Sequence, residues 1–191
     1  YTENLSILVQ TNPQGTVTAG ATYSVNSEEN SPRGVTFNTD GTKMFITGAQ
    51  GDDVNEYTLS VGFDLASTVT FVDSYAVTQC PNPMSVKFNP NGTKMFVTGV
   101  GNNNVHEYAL TTGFDVSTAS FTQTLVTTVD NDNFGLDFKD DGTKMYLTGD
   151  SNNSIYEFDL SSAYDISTAT FNQSLNVSAI DIEPFGIEWS P

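Results

Sequence analysis

Apolar and polar residues alternate with a period of two in short segments along the chain. Thr36 separates Val35 from Phe37, and residues 44–47 read Met-Phe-Ile-Thr, with bulky side chains on both sides of the segment. Alternation of this kind predicts β-strands, and a strand with bulk on both faces is expected to be covered on both sides. Since no segment of ten or more residues shows helical periodicity, the pattern predicts an all-β fold.

The alternating segments belong to a pattern that the chain repeats. Three copies of it lie at residues 34–77, 85–128 and 135–178. The turn glycines of the copies are spaced 51 and 50 residues apart, and they are Gly41, Gly92 and Gly142. A fixed period of this length is typical of repeat architectures, in which one structural unit is copied along the chain.

Each copy predicts four strands joined by polar turns. In the first copy the strands are expected at residues 34–37, 44–48, 54–59 and 69–77. Residues 38–41 read Asn-Thr-Asp-Gly, which places glycine where a tight hairpin needs a positive φ. An aspartate in the connection between the third and fourth strands can accept hydrogen bonds from backbone N–H groups and cap a single turn. These aspartates are Asp64, Asp115 and Asp165.

A six-residue turn-and-strand motif connects the repeat to a known class. Residues 40–45 read Asp-Gly-Thr-Lys-Met-Phe, and the other copies read Asn-Gly-Thr-Lys-Met-Phe and Asp-Gly-Thr-Lys-Met-Tyr. The motif resembles bacterial and phage β-propeller repeats of the YVTN and TolB types, whose period is usually shorter, about 40 residues. This resemblance implies an all-β propeller of four-stranded antiparallel blades. It implies little about activity, because propellers serve as enzymes, lectins and scaffolds.

The chain is interpreted as one partial propeller domain, residues 1–191, with three whole blades and partial blades at both ends. The repeats are predicted at residues 31–81, 82–131 and 132–182, with a fourth begun at 183–191. In that fourth copy, Trp189 takes the place of the first-strand phenylalanine. Residues 16–25 resemble a fourth strand, and residues 1–9 resemble a degraded third strand.

Partial blades at both ends leave open sheet edges. A closed ring normally has at least four blades, and an unpaired edge exposes backbone groups that can pair with another chain. Either the parent protein is longer than this sequence, or two or more chains close a ring together. We expect the second arrangement, a homo-oligomer formed through the open blade edges.

The charge of the chain excludes some partners. It carries 23 acidic and 6 basic residues, a formal net charge of -17. Such a protein repels nucleic acids and anionic membranes, so neither is expected as a partner. Because the acidic residues are spread along the chain, we expect a secreted, extracellular or virion-associated protein in a salty medium. The single cysteine, Cys80, cannot form an internal disulfide and is expected to be structural and buried.

Two sets of loops differ between the copies and form the predicted ligand face. They join the second strand to the third, and the fourth strand to the next copy, and they are rich in Asn, Asp, Ser and Gln. These groups suit hydrogen bonding to a carbohydrate or contact with a cation. The pattern therefore predicts a non-enzymatic module that binds a glycan or a cell-surface protein through several weak contacts. The candidate ligand-binding residues are Asp52, Asp53, Asn82, Asn102, Asn103, Asn131, Asp132 and Asn152.

Two charged positions recur in every copy. The lysine beside the hairpin turn is expected to pair with the turn aspartate, Asp40 or Asp141, and to steady the hairpin. This lysine is Lys43, Lys94 or Lys144. The glutamate of the third strand is either an outer-strand salt bridge or one element of a repeated binding site, and it is Glu56, Glu107 or Glu157.

One acidic turn imitates the start of a calcium loop. Residues 130–135 read Asp-Asn-Asp-Asn-Phe-Gly, with oxygen ligands at alternate positions. Phe134 occupies the fifth position, where a ligand should stand, and a strand rather than a helix is expected to follow. We expect a polar turn between blades, with no resident cofactor and at most weak calcium binding.

An enzyme is the rival interpretation. A propeller lactonase or hydrolase would hold an acidic metal site at its central channel, built from carboxylates or histidines at first-strand positions. Asp137 and Glu188 fall on such positions, whereas Thr36 and Lys87 occupy the others. Because this pattern is half formed, we predict that the chain is not an enzyme. A ligand-free scaffold, or a fragment of a longer protein, is the third interpretation.

Overall fold

The computed structural model describes residues 20–101 and 103–190, which form three four-stranded antiparallel sheets. The first sheet contains β1 (Pro32–Phe37), β2 (Lys43–Gly48), β3 (Asp53–Leu59) and β4 (Val69–Ala76). The second contains β5 (Pro83–Phe88), β6 (Lys94–Gly99), β7 (Asn104–Leu110) and β8 (Ala119–Val126). The third contains β9 (Asn133–Phe138), β10 (Lys144–Gly149), β11 (Ser154–Leu160) and β12 (Ala169–Asn176).

Strand order follows chain order in every sheet, so each strand pairs with the next through a hairpin. In the first sheet Phe37 pairs with Met44 across the hairpin, and Pro32 pairs with Gly48 at the other end of the two strands. Each sheet is called a blade below. The predicted all-β class and the four-stranded antiparallel unit are confirmed. Over the described residues, no helix is long and apolar enough to cross a bilayer.

The hairpin between the first two strands is built as its sequence predicts. The turn glycines Gly41, Gly92 and Gly142 have φ angles of 72°, 71° and 71°. A glycine tolerates this left-handed conformation because it carries no Cβ. Asp40 accepts hydrogen bonds from the backbone N–H and the hydroxyl of Thr42, at 3.0 and 2.6 Å. These bonds hold the turn without the lysine, which points elsewhere.

The repeated lysine pairs with the repeated glutamate, so its predicted pairing with the turn aspartate is wrong. Lys43 Nζ lies 2.6 Å from Glu56 Oε1, and Lys94 Nζ lies 2.9 Å from Glu107 Oε1. Lys144 Nζ lies 2.6 Å from Glu157 Oε1. This pairing follows from the strand register. Lys43 of β2 and Glu56 of β3 are diagonal neighbours on the same face of the sheet, where long side chains can meet.

Each of the first two pairs also binds the following blade. Lys43 Nζ donates to the carbonyl oxygen of Phe114 at 2.6 Å, and the backbone N–H of Val116 donates to Glu56 Oε2 at 2.9 Å. Lys94 Nζ likewise donates to the carbonyl oxygen of Tyr164 at 2.7 Å. The ion pairs therefore join adjacent blades, which is a structural role and not a repeated binding site.

The core lies between the blades. The second strands are buried on both faces, as their bulky alternation predicts. The ring centroids of Phe45 and Phe88 are 4.4 Å apart across the first joint, and those of Phe96 and Phe138 are 4.6 Å apart across the second. At the open side of the third blade, Trp189 stacks on Tyr146 at 5.5 Å, in the place that the sequence predicts for it.

The connection between the third and fourth strands is a capped turn. Ser117 and Ser167 donate backbone hydrogen bonds to Asp115 and Asp165, and each turn continues as a 3-10 segment of three residues, Val116–Thr118 and Ile166–Thr168. Asp64 accepts the corresponding bond from the N–H of Ala66 at 2.8 Å. All three aspartates therefore cap their turns, as the sequence predicts.

The chain ends differ from the sequence-based expectation where they are described. Residues 20–25 form no strand, although they match the fourth-strand pattern. The expected pairing partner at residues 1–9, and the start of the expected strand at 16–19, lie outside the described residues. The third blade leaves a cavity of about 220 Å³ on its open side, beside Glu157 and Leu175. Ring closure by a second chain stays a prediction.

Candidate functional site

The first strands of the three blades lie next to one another, with β5 between β1 and β9. A cavity of about 350 Å³ opens where these strands end, beside the hairpins that follow them. Its polar lining comes from equivalent positions of successive repeats, together with the turns behind them. These residues are Thr36, Lys87, Asp137, Glu188, Thr39, Asn89 and Asp140. Aromatic residues complete the lining, namely Phe37, Phe88, Phe114, Phe138 and Tyr164.

Three charged side chains meet in this cavity. Lys87 Nζ lies 3.3 Å from Asp137 Oδ1 and 2.6 Å from Glu188 Oε2. The lysine and the aspartate are largely buried, whereas the Glu188 side chain is 78% exposed. The site is thus a cation held between an inner carboxylate and an outer carboxylate at the cavity mouth.

Asp137 is held firmly by its backbone surroundings. Its Oδ2 accepts a hydrogen bond from the N–H of Trp189 at 2.6 Å, and its Oδ1 accepts one from the N–H of Phe138 at 2.9 Å. Burial raises the pKa of this carboxyl above its usual value, and the Lys87 charge and the two N–H donors offset that rise only in part. A carboxylate with a raised pKa is a stronger base than an ordinary aspartate.

The donor set does not fit the acidic metal site of the rival interpretation. No group of three or more His, Cys, Asp or Glu side chains suited to a metal occurs in the part of the chain that the structure describes. At the axis, the ammonium of Lys87 stands between Asp137 and Glu188, where a metal ion would have to lie. A divalent cation there would face a fixed positive charge, so the chemistry of this cavity must be derived from the side chains themselves.

Comparisons with known proteins show the fold through structure alone. No sequence family and no curated protein matches the chain. The β-propeller domain of Cps50 (Swd1) from Myceliophteria thermophila superposes with a TM-score of 0.51 at 9% identity, covering 76% of this chain and 43% of that one. The fold is that of a β-propeller. The predicted resemblance to propeller repeats is therefore confirmed at the level of fold.

Two further propellers among the matches bear the names of enzymes. A Bacteroides uniformis protein, provisionally named a 6-phosphogluconolactonase, superposes with a TM-score of 0.61 at 16% identity, covering 90% of this chain and 48% of that one. The periplasmic gluconolactonase of Pseudomonas aeruginosa gives 0.57 at 14% identity, covering 76% and 40%. This chain thus spans less than half the length of these propellers.

The prediction that the chain is not an enzyme is wrong. That prediction was based on the carboxylates at the first-strand positions, which are present in only two of the four repeats. The propellers that this chain resembles include proteins named as lactonases, and the structure places Lys87 between the two carboxylates. A lysine paired with a carboxylate is a usable acid–base set without a metal, which the expectation of a carboxylate and histidine site overlooked.

The predicted ligand-binding residues lie at the opposite end of the propeller from the axial cavity. Their loops adjoin the starts of the first strands, near Pro32 and Gly48, whereas the cavity adjoins the strand ends, near Phe37. Most of the polar groups contact a neighbouring loop. Asp52 accepts the N–H of Asn82 at 2.9 Å, and the carbonyl of Asn103 accepts the N–H of Thr127 at 3.0 Å.

The remaining described candidates form hydrogen bonds within their own segment or with a neighbouring loop. The N–H groups of Asn131 and Asn152 donate to Asp130, at 2.7 and 3.2 Å. Asp132 accepts the N–H of Gly101 at 3.1 Å, and Asp53 accepts an amide hydrogen of Asn55 at 2.7 Å. Asn102 lies outside the described residues. Binding of a glycan or protein by this face stays a prediction.

The turn that imitates a calcium loop is closed by its own hydrogen bonds. Asp130 is 4% exposed and accepts hydrogen bonds from several N–H groups and, at 2.8 Å, from the hydroxyl of Tyr156. Burial acts to raise its pKa, but these bonds outweigh burial and hold the pKa below its usual value. The carboxylate ties the loop before β9 to the loop after β10. Weak calcium binding by the acidic turns stays a prediction.

Cys80 occupies the corresponding place before β5 and is fully buried. Burial, with a smaller contribution from Asp52, raises the pKa of its thiol to about 12. A buried thiol that stays protonated is a poor nucleophile. We expect a thiol-specific disulfide reagent to leave the native protein unlabelled and to modify one thiol after denaturation. Rapid labelling of the native protein would show that this joint between blades opens.

The sequence missed the part of the cavity that the hairpins supply. Thr39, Asn89 and Asp140 stand in the first hairpins of their blades, and the sequence predicts only structural turns there. One feature of the sequence could have indicated this role. Residue 39 and its counterparts, Pro90 and Asp140, differ between turns that are otherwise similar.

Proposed function

We propose that this propeller hydrolyses the ester bond of a small sugar-type lactone in the axial cavity. The observation that carries the proposal is the Lys87–Asp137 pair, a cation beside a buried carboxylate of raised pKa at the floor of a cavity of about 350 Å³. The lactonase names of the propellers that share the fold support the same reaction class. The cavity volume falls in the range of small-molecule sites.

Lactone hydrolysis needs a base for water and a positive group for the carbonyl oxygen. Asp137 takes a proton from a water molecule as that water adds to the carbonyl carbon. The carbonyl oxygen gains negative charge in this step, and the ammonium of Lys87 stabilises it. The tetrahedral intermediate then collapses with cleavage of the ring C–O bond, and protonated Asp137 returns its proton to the departing ring oxygen. One lactone and one water give one hydroxy acid.

The remaining groups prepare these two side chains. The backbone N–H groups of Phe138 and Trp189 fix the Asp137 carboxylate, so its orientation does not depend on solvent. Glu188 shares the charge of Lys87 from the mouth of the cavity and accepts one of its hydrogen bonds. Activity requires ionised Asp137, so it is expected to fall as the pH drops through the raised pKa of this group.

Replacement of the base tests the proposal. Asp137→Asn is expected to lower kcat/KM for glucono-δ-lactone by about 100-fold or more, a typical loss for a general base. The assay follows acid release and subtracts spontaneous hydrolysis measured without protein. Circular dichroism and thermal unfolding confirm that the variant is folded.

The matched control makes the same chemical change nearby. Asp141 is an exposed turn residue, and the second blade carries Asn91 at its position. Asp141→Asn therefore gives this hairpin a residue that the repeat already accommodates, and its activity should equal that of the parent protein. Hydrolysis no faster than the blank, or an equal rate in Asp137→Asn, would remove the proposal.

A further inference from the structure

The charges around the axial cavity define which lactone it accepts. Lys87 is the cation in the lining, and it is already paired with Asp137 and Glu188. A third carboxylate, Asp140, lines the same cavity. With three carboxylates and one ammonium, the residues of the lining carry an excess of two negative charges.

The other basic residues are used elsewhere. Lys43, Lys94 and Lys144 bind carboxylates within the blades, and Lys139 lies 3.2 Å from Asp141. Arg33 stands near the start of β1 and lines a separate cavity on the open side of the first blade. No second basic side chain among the described residues lines the axial cavity.

Phosphate groups are recognised in proteins by arginine, by lysine or by clustered backbone N–H groups. A phosphorylated lactone would bring two negative charges into a lining that already carries an excess of two. The neutral parts of the lining suit a different ligand. The hydroxyls of Thr36 and Thr39 and the ring faces of Phe37 and Phe88 can contact the hydroxyl groups and the apolar side of a sugar ring.

We propose that the cavity selects an uncharged, polyhydroxylated lactone and discriminates against its phosphate ester. The proposal rests on the proposed hydrolytic function and adds the substrate class to it. It also separates this chain from the neighbouring propeller named for a phosphorylated substrate.

The experiment compares glucono-δ-lactone with 6-phosphogluconolactone on the same protein preparation. We expect kcat/KM to be at least about tenfold higher for the neutral lactone at low ionic strength, because like charges repel the phosphate ester. The difference is expected to shrink as sodium chloride is raised from about 0.05 to about 0.5 M, since salt screens exposed charges.

A pair of variants tests the cause of the preference. Asp140→Asn removes one negative charge from the lining and is expected to raise the relative kcat/KM of the phosphorylated lactone about threefold. Asp141→Asn removes the same charge from the adjacent position, outside the cavity, and is expected to leave the ratio unchanged. If both variants shift the ratio equally, the preference comes from the net charge of the protein and this inference is overturned.

The outcomes separate the two proposals. If both lactones are hydrolysed and the phosphorylated one is preferred or equal, the charge-selection proposal is wrong while the hydrolytic function stands. If neither lactone is hydrolysed faster than the blank, the hydrolytic function itself fails, and the selection proposal falls with it.

Discussion

Glu56→Ala is expected to lower the free energy of unfolding by about 3 kcal/mol or more, as removal of one partner of a buried ion pair commonly does. The Glu56 side chain is 1% exposed and makes two contacts at the joint between the first and second blades. One is with Lys43 of its own blade, and the other is with the N–H of Val116 in the next blade. Alanine would leave a half-buried ammonium and a buried N–H group without these acceptors.

The third blade offers a matched control in the same repeat position. Glu157 pairs with Lys144, but Lys144 keeps a second carboxylate, Asp159, at 2.7 Å. Glu157 also faces the open side of its blade, where its further contacts are with Asn172 and Gln173 of the same blade. Glu157→Ala is therefore expected to cost about 1 kcal/mol or less. Urea unfolding of both variants measures the difference, and equal losses would show that the joint between blades does not depend on Glu56.

The strands and turns could be predicted because their causes are local. Each second strand is buried on both faces, so the bulk on both sides of residues 44–47 is visible in the sequence. The glycine at position 41 is required by a positive φ, and the Asp115 cap needs partners only two residues away. Such features repeat in every copy, which lets three weak signals support one another.

Contacts between residues that are far apart along the chain could not be predicted from these local patterns. The sequence placed Lys43 beside Asp40 because they are three residues apart, whereas the ladder register brings it to Glu56. The bond from Lys43 to the carbonyl of Phe114 spans 71 residues and exists only when two blades pack together. Local patterns carry no information on such joints.

In the candidate site too, the positions could be predicted from the sequence, whereas the contacts between them could not. The first-strand positions Thr36, Lys87, Asp137 and Glu188 were recognised as equivalent from the repeat, yet their chemistry was judged one residue at a time. Their meeting depends on adjacent blades bringing these strands side by side around an axis. In that arrangement Lys87 is not an interruption of an acidic pattern but an ammonium that lies between two carboxylates.

A second buried position also escaped the sequence because its residue type changes in each copy. Glu29, Cys80 and Asp130 each precede a first strand, and each is 0–4% exposed. Each packs against a glycine that ends the second strand, where a Cβ would come within 3 Å of the side chain. The glycines Gly48, Gly99 and Gly149 repeat, whereas the side chains that use their space are a glutamate, a cysteine and an aspartate, so no single residue type marks the position.

Asp130→Asn is expected to cost about 3 kcal/mol at pH 7, because bonds to a buried carboxylate are stronger than those to an amide. One oxygen becomes an NH₂ group that faces N–H and hydroxyl donors from Asn152 and Tyr156. In the parent protein these donors hold the pKa of Asp130 below its usual value. The carboxylate therefore contributes stability above the unfolded pKa of about 3.9, and this contribution is lost as the pH falls through the lower folded value.

The measurement is the difference in unfolding free energy between the parent and the variant from pH 7 to pH 2, by urea titration. The difference should be constant down to about pH 4 and should shrink below it, because the parent loses the charge that the variant lacks. Asp132→Asn is the control: its half-buried side chain accepts the backbone N–H of Gly101, and the change should cost less than about 1 kcal/mol. A difference that stayed constant to pH 2 would show that the shape of the side chain, and not its charge, holds the loop before β9 to the loop after β10.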